Sequence, residues 1–217
     1  MKPISATLSS LLPILAPDKF LTQQQAGKLL ETAKINAENT KENGRKIPVR
    51  DYFIIDLALS TGLRVMEIAQ LNCGDIFIDS KMPAVFVRNG KGKRKRMVRF
   101  NGSFKIHCEK YLSWKQSISE PTGKNDPLLL SSNTGKHMTI RAIQKVFKRA
   151  AARAGLPSRY SIHCLRHTYA CFLLKASNWN LRLVQKQLGH SNCKITEVYA
   201  DVLAPDVQSA LEGLYRM

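Results

Sequence analysis

The chain has 217 residues, 44% of them hydrophobic and 23% charged, which suits one ordinary globular domain and excludes wholesale disorder. Lys and Arg number 34 against 16 Asp and Glu, a net charge of +18; so large an excess repels itself unless a polyanion offsets it, which makes nucleic acid the first partner to consider. No apolar run of about 18 residues is available to span a membrane. Pro13 interrupts the short Leu8–Leu15 stretch, no small-residue cleavage site follows it, and the five cysteines are scattered without C-x-x-C spacing, so a reducing, cytoplasmic setting is expected and a signal peptide, disulfide framework or zinc ribbon is not.

In chain order, Met1–Lys19 reads as a leader or linker segment and residues 20–217 as a single domain. Thr22 is a candidate N-cap for a helix whose stripe is Ala26, Leu29, Leu30 and Ala33. A polar loop covers Thr40–Arg45. Pro48 opens a second helix, with Phe53, Ile54, Leu57 and Ala58 at helical spacing, and Ser60-Thr61-Gly62 closes it. A third helix covers Val65–Leu71. The runs Ile76–Ile78, Ala84–Val87 and Met97–Phe100, with Gly90-Lys91-Gly92 between the last two, predict a small antiparallel sheet with one exposed basic hairpin. Helices resume at Lys105–Ile118, Ile140–Ala154, His163–Ala176, Leu181–Leu188 and Pro205–Tyr215, with Gly155-Leu156-Pro157 and Gly189 as stops. The expected fold class is α+β, mostly helical with one small antiparallel sheet.

The basic excess is concentrated. No Asp or Glu lies between Asp79 and Glu109, a window that holds Arg88, Lys91, Lys93, Arg94, Lys95 and Arg96. None lies between Asp126 and Glu197 either, where Arg141, Lys145, Lys148 and Arg149 sit on one predicted helix. A charge run is ordinarily a solvated face. A long stretch without internal counter-ions, however, has phosphates as its natural partners, and these residues form the expected DNA-contacting set.

Five spots pair unusual residue types with turns. Arg64 falls where one helix stops and the next starts, and Lys91 sits between two glycines at a hairpin tip. His163 and Arg166 lie one turn apart on a helix, His190 follows a helix stop, and Tyr199 lies on the last short helix before Pro205. Each has a plain structural explanation when taken singly: an arginine paired with Glu67, a non-specific phosphate contact, a satisfied core histidine, a packing tyrosine.

Taken in order, the spots resemble the blocks of the tyrosine recombinase (phage integrase) family. Thr61-Gly62-Leu63-Arg64-Val65-Met66-Glu67-Ile68 is similar to its first arginine block and Gly90-Lys91-Gly92 to its hairpin lysine. His163-Cys164-Leu165-Arg166 matches its His-x-x-Arg block, Leu188-Gly189-His190 its Leu-Gly-His block, and Tyr199 its nucleophile. Cys164 stands where Asp is common and Met66 where a small residue is common. Met1–Lys19 is too short for the N-terminal core-binding domain of most relatives, so a catalytic domain alone, or a shortened relative, is expected.

The resemblance implies a site-specific DNA recombinase that cleaves and rejoins strands through a covalent 3′-phosphotyrosine at Tyr199. Arg64 and Arg166 would neutralise the non-bridging oxygens, since planar guanidinium forks match them and matter most as charge builds. His163 would serve as acid–base partner, His190 as donor to a non-bridging oxygen, and Lys91 as general acid for the leaving 5′ oxygen. The intermediate conserves the bond's energy, so no metal or cofactor is implied. Zn²⁺ held by His163 and His167 at i and i+4 is disfavoured, because the Glu position of H-E-x-x-H is Cys164 and Arg166 lies between the two. Double-stranded DNA is the implied partner, with a homo-tetramer forming on it and a monomer when free; the Pro205–Tyr215 helix either docks on the neighbouring subunit or folds back on its own core. A non-recombining DNA-binding protein of the same fold, a type IB topoisomerase-like enzyme and a hairpin-end resolvase are the alternatives.

Overall fold

The computed structural model describes residues 19–41, 44–88, 95–190 and 194–203. Lys91, Lys93 and Arg94 of the expected hairpin, and the expected Pro205–Tyr215 helix, lie outside them.

Helix α1 (Gln23–Lys41) begins at the expected cap: the Gln25 N–H donates to Thr22 Oγ1 at 3.2 Å, and the Thr22 N–H donates to Gln25 Oε1 at 3.0 Å. This reciprocal pairing satisfies two donors that a helix start leaves open. The apolar face continues through Ala37, so helix extends into the beginning of the loop expected at Thr40. α2 (Lys46–Thr61) is the central element, packing against α1, α4, α5 and α6, with Phe53, Ile54, Ile55 and Leu57 fully buried. It ends at Gly62, whose φ of +60° is left-handed and whose N–H reaches Ala58 O at 3.0 Å. A Cβ at Gly62 would run into the Tyr169 ring, so the turn needs glycine for both conformation and space.

α3 (Val65–Ala69) follows at once and stops two residues short of the expected Leu71. A 3-10 turn, Cys73–Asp75, leads into β1 (Ile76–Phe77), then β2 (Ala84–Val87) and β3 (Arg96–Arg99). The sheet is antiparallel in the order β1-β2-β3, with Ile76 opposite Val85 and Val85 opposite Val98. Val85, Val87 and Val98 face the core, while Met97 on the alternate face is exposed, as period-2 patterning requires. α4 (Gly102–Ser117) starts earlier than Lys105 because Asn101 Oδ1 accepts the Phe104 N–H at 2.9 Å. α5 (Ile140–Arg153) is capped by Thr139, and α6 (His163–Ala176) and α7 (Leu181–Leu188) have the expected bounds. α8 (Lys194–Leu203) packs on α6 and α7.

Two apolar clusters result. The larger joins α1–α6 and the sheet; the smaller gathers Ala170, Cys171, Leu174, Val184, Leu188 and Tyr199 from α6, α7 and α8. The candidate site lies where the second cluster meets the α2–α3 junction. Among the described residues, no helix is long and apolar enough to cross a membrane.

Candidate active site

Arg64 occupies the N-cap position of α3, directly after the Gly62 turn. Its backbone N–H donates to Glu67 Oε2 at 2.8 Å and its Nη1 to Glu67 Oε1 at 3.0 Å, and the side chain is 24% exposed. Glu67 accepts a second, bidentate fork from Arg96, Nη1 to Oε1 at 2.8 Å and Nη2 to Oε2 at 2.9 Å. Burial acts to raise the Glu67 carboxyl, but the Arg96 hydrogen bonds and charge, joined by Arg64, outweigh it and hold the group below the usual carboxylate range. Arg96 also donates from Nε to Gln187 O at 3.2 Å, and its side chain is only 12% exposed. Arg96, expected among the DNA contacts, has its guanidinium engaged by protein acceptors instead of free toward solvent. It sits inside, tying β3 to α3 and α7, because a carboxylate this deep requires a paired cation.

Arg166, in the first turn of α6, is 7% exposed. Its Nη1 donates to Gly62 O at 2.6 Å; its Nη2 donates to Leu188 O at 2.9 Å and to His190 Nε2 at 3.0 Å. Both carbonyls lie at helix C-terminal ends, of α2 and α7, where acceptors lack intrahelical partners and the dipole is negative. Burial, with the neighbouring Arg64 charge, lowers the Arg166 pKa to about 10, which leaves it cationic at neutral pH. One guanidinium therefore pins three segments that are distant in sequence.

His190 follows Gly189, a left-handed residue at φ +66°. A Cβ at Gly189 would approach Arg96 Cδ to 2.7 Å, so this glycine admits the arginine that braces Glu67. Arginine has no acceptor, so His190 Nε2 must accept from Arg166 and, in a neutral ring, Nδ1 carries the proton. That proton is donated to Thr196 Oγ1 at 3.0 Å. Burial first, then the Arg166, Arg64 and Arg96 charges, depress the His190 pKa to about 3, so the ring is neutral at physiological pH.

Tyr199 is 4% exposed within the smaller cluster. Its ring lies nearly parallel to His190, centroids 6.4 Å apart and planes 12° from coincidence. Its hydroxyl is 3.0 Å from Nδ1 of His167. Burial raises the phenol to about 12, with Arg166 opposing the shift. Arg64, Arg166, His190 and Tyr199 are thus gathered at one place from four points of the chain. His163, expected as the tyrosine's acid–base partner, is exposed at the start of α6, one turn before Arg166 and His167. In the sequence His167 stands out as the residue that continues the His-x-x-Arg block and, at i+4 from His163, as a disfavoured zinc ligand, with no sign of a contact to Tyr199. Thr196, three residues before Tyr199, and the Glu67–Arg96 fork carried no local signal of a role.

The other expected DNA contacts are distributed unevenly. Lys95, Arg141 and Lys145 are exposed. Arg88 pairs with Asp75 at 2.7 Å and Arg149 with Asp51 at 2.8 Å, both retaining partial exposure. Lys148 Nζ donates to Ser158 O at 2.6 Å and Tyr160 O at 2.7 Å, which fastens the segment leading into α6. Among the described residues, no cluster of three or more His, Cys, Asp or Glu side chains is placed to hold a metal.

The domain is thus mostly helical and draws a late-helix tyrosine and a neutral histidine to a pair of arginines. The chain belongs to the phage integrase family, whose model matches residues 19–205. It is 33% identical over 201 residues to the tyrosine recombinase XerD of Oceanobacillus iheyensis, covering 92% of this chain and 61% of that protein. It is 35% identical over 158 residues to a tyrosine recombinase XerC of Neisseria meningitidis, covering 73% of this chain and 49% of that one. The chain therefore spans between about half and three fifths of the length of these curated relatives. Among solved structures, the crystal structure of XerA recombinase matches with a TM-score of 0.69 at 24% identity, over 97% of this chain and 65% of that chain. XerH site-specific recombinase in its pre-cleavage complex with difH substrate matches at 0.71 and 24%, over 91% and 54%. These structural likenesses are likenesses of fold.

Proposed function

We propose that this chain is the catalytic part of a site-specific DNA recombinase, cleaving and rejoining strands with Tyr199 as nucleophile. The observation that supports this reading is the convergence of Tyr199 and His190 from separate elements, with Arg166 bonded to His190 and the Arg166 and Arg64 charges acting on the phenol. Attack by the phenol oxygen on phosphorus makes the Tyr199 O–P bond while the phenol proton passes to the acid–base histidine, and it breaks the bond to the 5′ oxygen, which takes a proton from the general acid. Charge gathering on the non-bridging oxygens is stabilised by Arg64 and Arg166, and their prior fixation by protein acceptors means little reorganisation at the moment of reaction. His190 presents an acceptor at Nε2 without DNA. To donate to a phosphate oxygen it takes the other tautomer, which Thr196 permits because a hydroxyl both donates and accepts. Lys91 is assigned the leaving-oxygen proton, and His163 an acid–base role at the exposed edge.

Double-stranded DNA is the proposed partner, gripped by Lys95, Arg141 and Lys145 together with Lys93 and Arg94, and by Arg88, Lys148 and Arg149 where their internal partners permit. The proposed active assembly is a homo-tetramer on DNA joined through residues 205–215, monomeric when free, in the cytoplasm. The test uses duplexes tiled across the DNA flanking the gene, each nicked so that cleavage traps the intermediate. Wild type is expected to give a covalent adduct on denaturing gels that vanishes in Tyr199→Phe while the mobility shift persists. A shift without an adduct would make the protein a passive binder and overturn the assignment.

A further inference from the structure

Arg166 and His167 are consecutive on α6 but engage opposite sides of the site. Arg166 points to the ends of α2 and α7, whereas His167 reaches α8 and places Nδ1 3.0 Å from the Tyr199 hydroxyl. The two rings are tilted at 49° with centroids 5.8 Å apart, so the contact between them is the hydrogen bond of Nδ1 with the phenol oxygen and not a stack. In its apolar cluster Tyr199 packs with Cys171, Leu174, Val184 and Leu188, the parallel face of His190 lies beside it, and the Arg166 and Arg64 charges act on the phenol. Those contacts fix the ring. They say nothing about where the hydroxyl's proton points.

Rotation of a phenolic O–H is two-fold, because conjugation keeps the hydrogen in the ring plane, so a single hydrogen bond selects one of two states. Burial, with His163, Arg166 and Lys19 nearby, depresses the His167 pKa to about 4. At neutral pH both members of the pair are therefore uncharged. Between them the phenol is the stronger donor and the imidazole nitrogen the stronger acceptor. The hydrogen consequently lies on the His167 side, and the oxygen's lone pairs are directed away from it.

We propose that His167 is the positioning residue for the nucleophile: through Nδ1 it accepts the Tyr199 O–H and so orients the phenol oxygen for attack. This rests on the recombinase reading above, and it assigns to His167 an orienting contact distinct from the acid–base role given to His163. Because α6 also carries Arg166, one helix would set both the oxyanion-facing cation and the direction of the nucleophile, which is how a rigid element holds reacting groups in register.

Two readouts test this. The first needs no DNA: ¹⁵N spectra of the protein should show His167 in the Nε2–H tautomer, with the unprotonated Nδ1 resonance moving in Tyr199→Phe. An Nδ1–H tautomer, or a resonance indifferent to Tyr199→Phe, overturns the proposal. The second compares adduct formation at saturating nicked DNA in His167→Leu, which removes the acceptor, and His167→Asn, whose Oδ1 falls near the Nδ1 position. His167→Leu should lose at least about tenfold in rate with DNA affinity within about threefold of wild type, and His167→Asn should recover most of that loss. Equal rates in His167→Leu and wild type, or an Asn variant as slow as the Leu variant, overturn it. Absence of an adduct from wild type itself would sink the recombinase reading, while the tautomer measurement would still report on the His167–Tyr199 contact.

Discussion

The two halves of the site are held in very different ways. On the cationic side, Glu67 accepts four hydrogen bonds from Arg64 and Arg96, and Arg166 is bonded to Gly62, Leu188 and His190. On the tyrosine side, a small apolar cluster and one hydrogen bond to His167 suffice. The contrast follows from solvation. A guanidinium or carboxylate taken out of water must recover its hydrogen bonds from protein, whereas a phenol ring is stabilised by burial and leaves only its hydroxyl to be satisfied. Substitutions in the cationic half should therefore damage stability and chemistry together, and those at the tyrosine hydroxyl should damage chemistry alone.

Arg166→Ala is the strongest way to break that contrast. It strips cations from two helix-end carbonyls and from the scissile phosphate, so adduct formation should fall by at least about 10³-fold and stability by about 2–4 kcal/mol. Tyr199→Phe, its counterpart, should abolish the adduct yet change stability by less than about 1 kcal/mol. Urea melts run beside the cleavage assay decide it, and equal destabilisation of the two variants would erase the distinction. Glu67→Gln comes next, because it leaves Arg96 and part of Arg64 without a buried counter-charge. A loss of about 3 kcal/mol is expected, recovered in part when Arg96→Met is added, since the double variant removes the orphaned charge.

Gly62→Ala forces a left-handed alanine against the Tyr169 ring and should cost about 1–3 kcal/mol in thermal melts. Acidification sharpens the comparison more gently. His167 and His190 titrate at about 4 and about 3 in the fold, against about 6.5 when free. Their pKa values are depressed on folding, so the stability they contribute is fully present above pH 6.5 or so and drains away as pH falls toward those values. Urea midpoints should fall between pH 7 and 5, and His190→Asn should flatten that slope. At the weak end, Lys105→Ala breaks only an exposed pair with Glu109 at 3.6 Å and should shift stability by less than about 0.5 kcal/mol.

The helix bounds of α6 and α7, the Gly62 and Gly189 stops, the three strands and the succession of arginine, histidine and tyrosine blocks were all legible in the chain of letters. They depend on local matters: period 3.6 or 2, a left-handed glycine, a side chain able to cap. Even there Asn101 was overlooked as a cap, and α4 came out longer for it. Glu67 was readable as the partner of Arg64 because three residues separate them. Arg96 was not readable as a second partner. Its position inside a basic run suggested a phosphate contact, and only the packing of α7 on β3 turned it inward. In the same way, sequence placed two histidines one turn apart on α6, but the docking of α8 decided that His167 meets Tyr199 and that Thr196 meets His190. Elements and candidate chemistry are encoded by neighbours along the chain. Which donor finds which acceptor is decided by distances between residues dozens of positions apart, and those exist only once the apolar faces have packed.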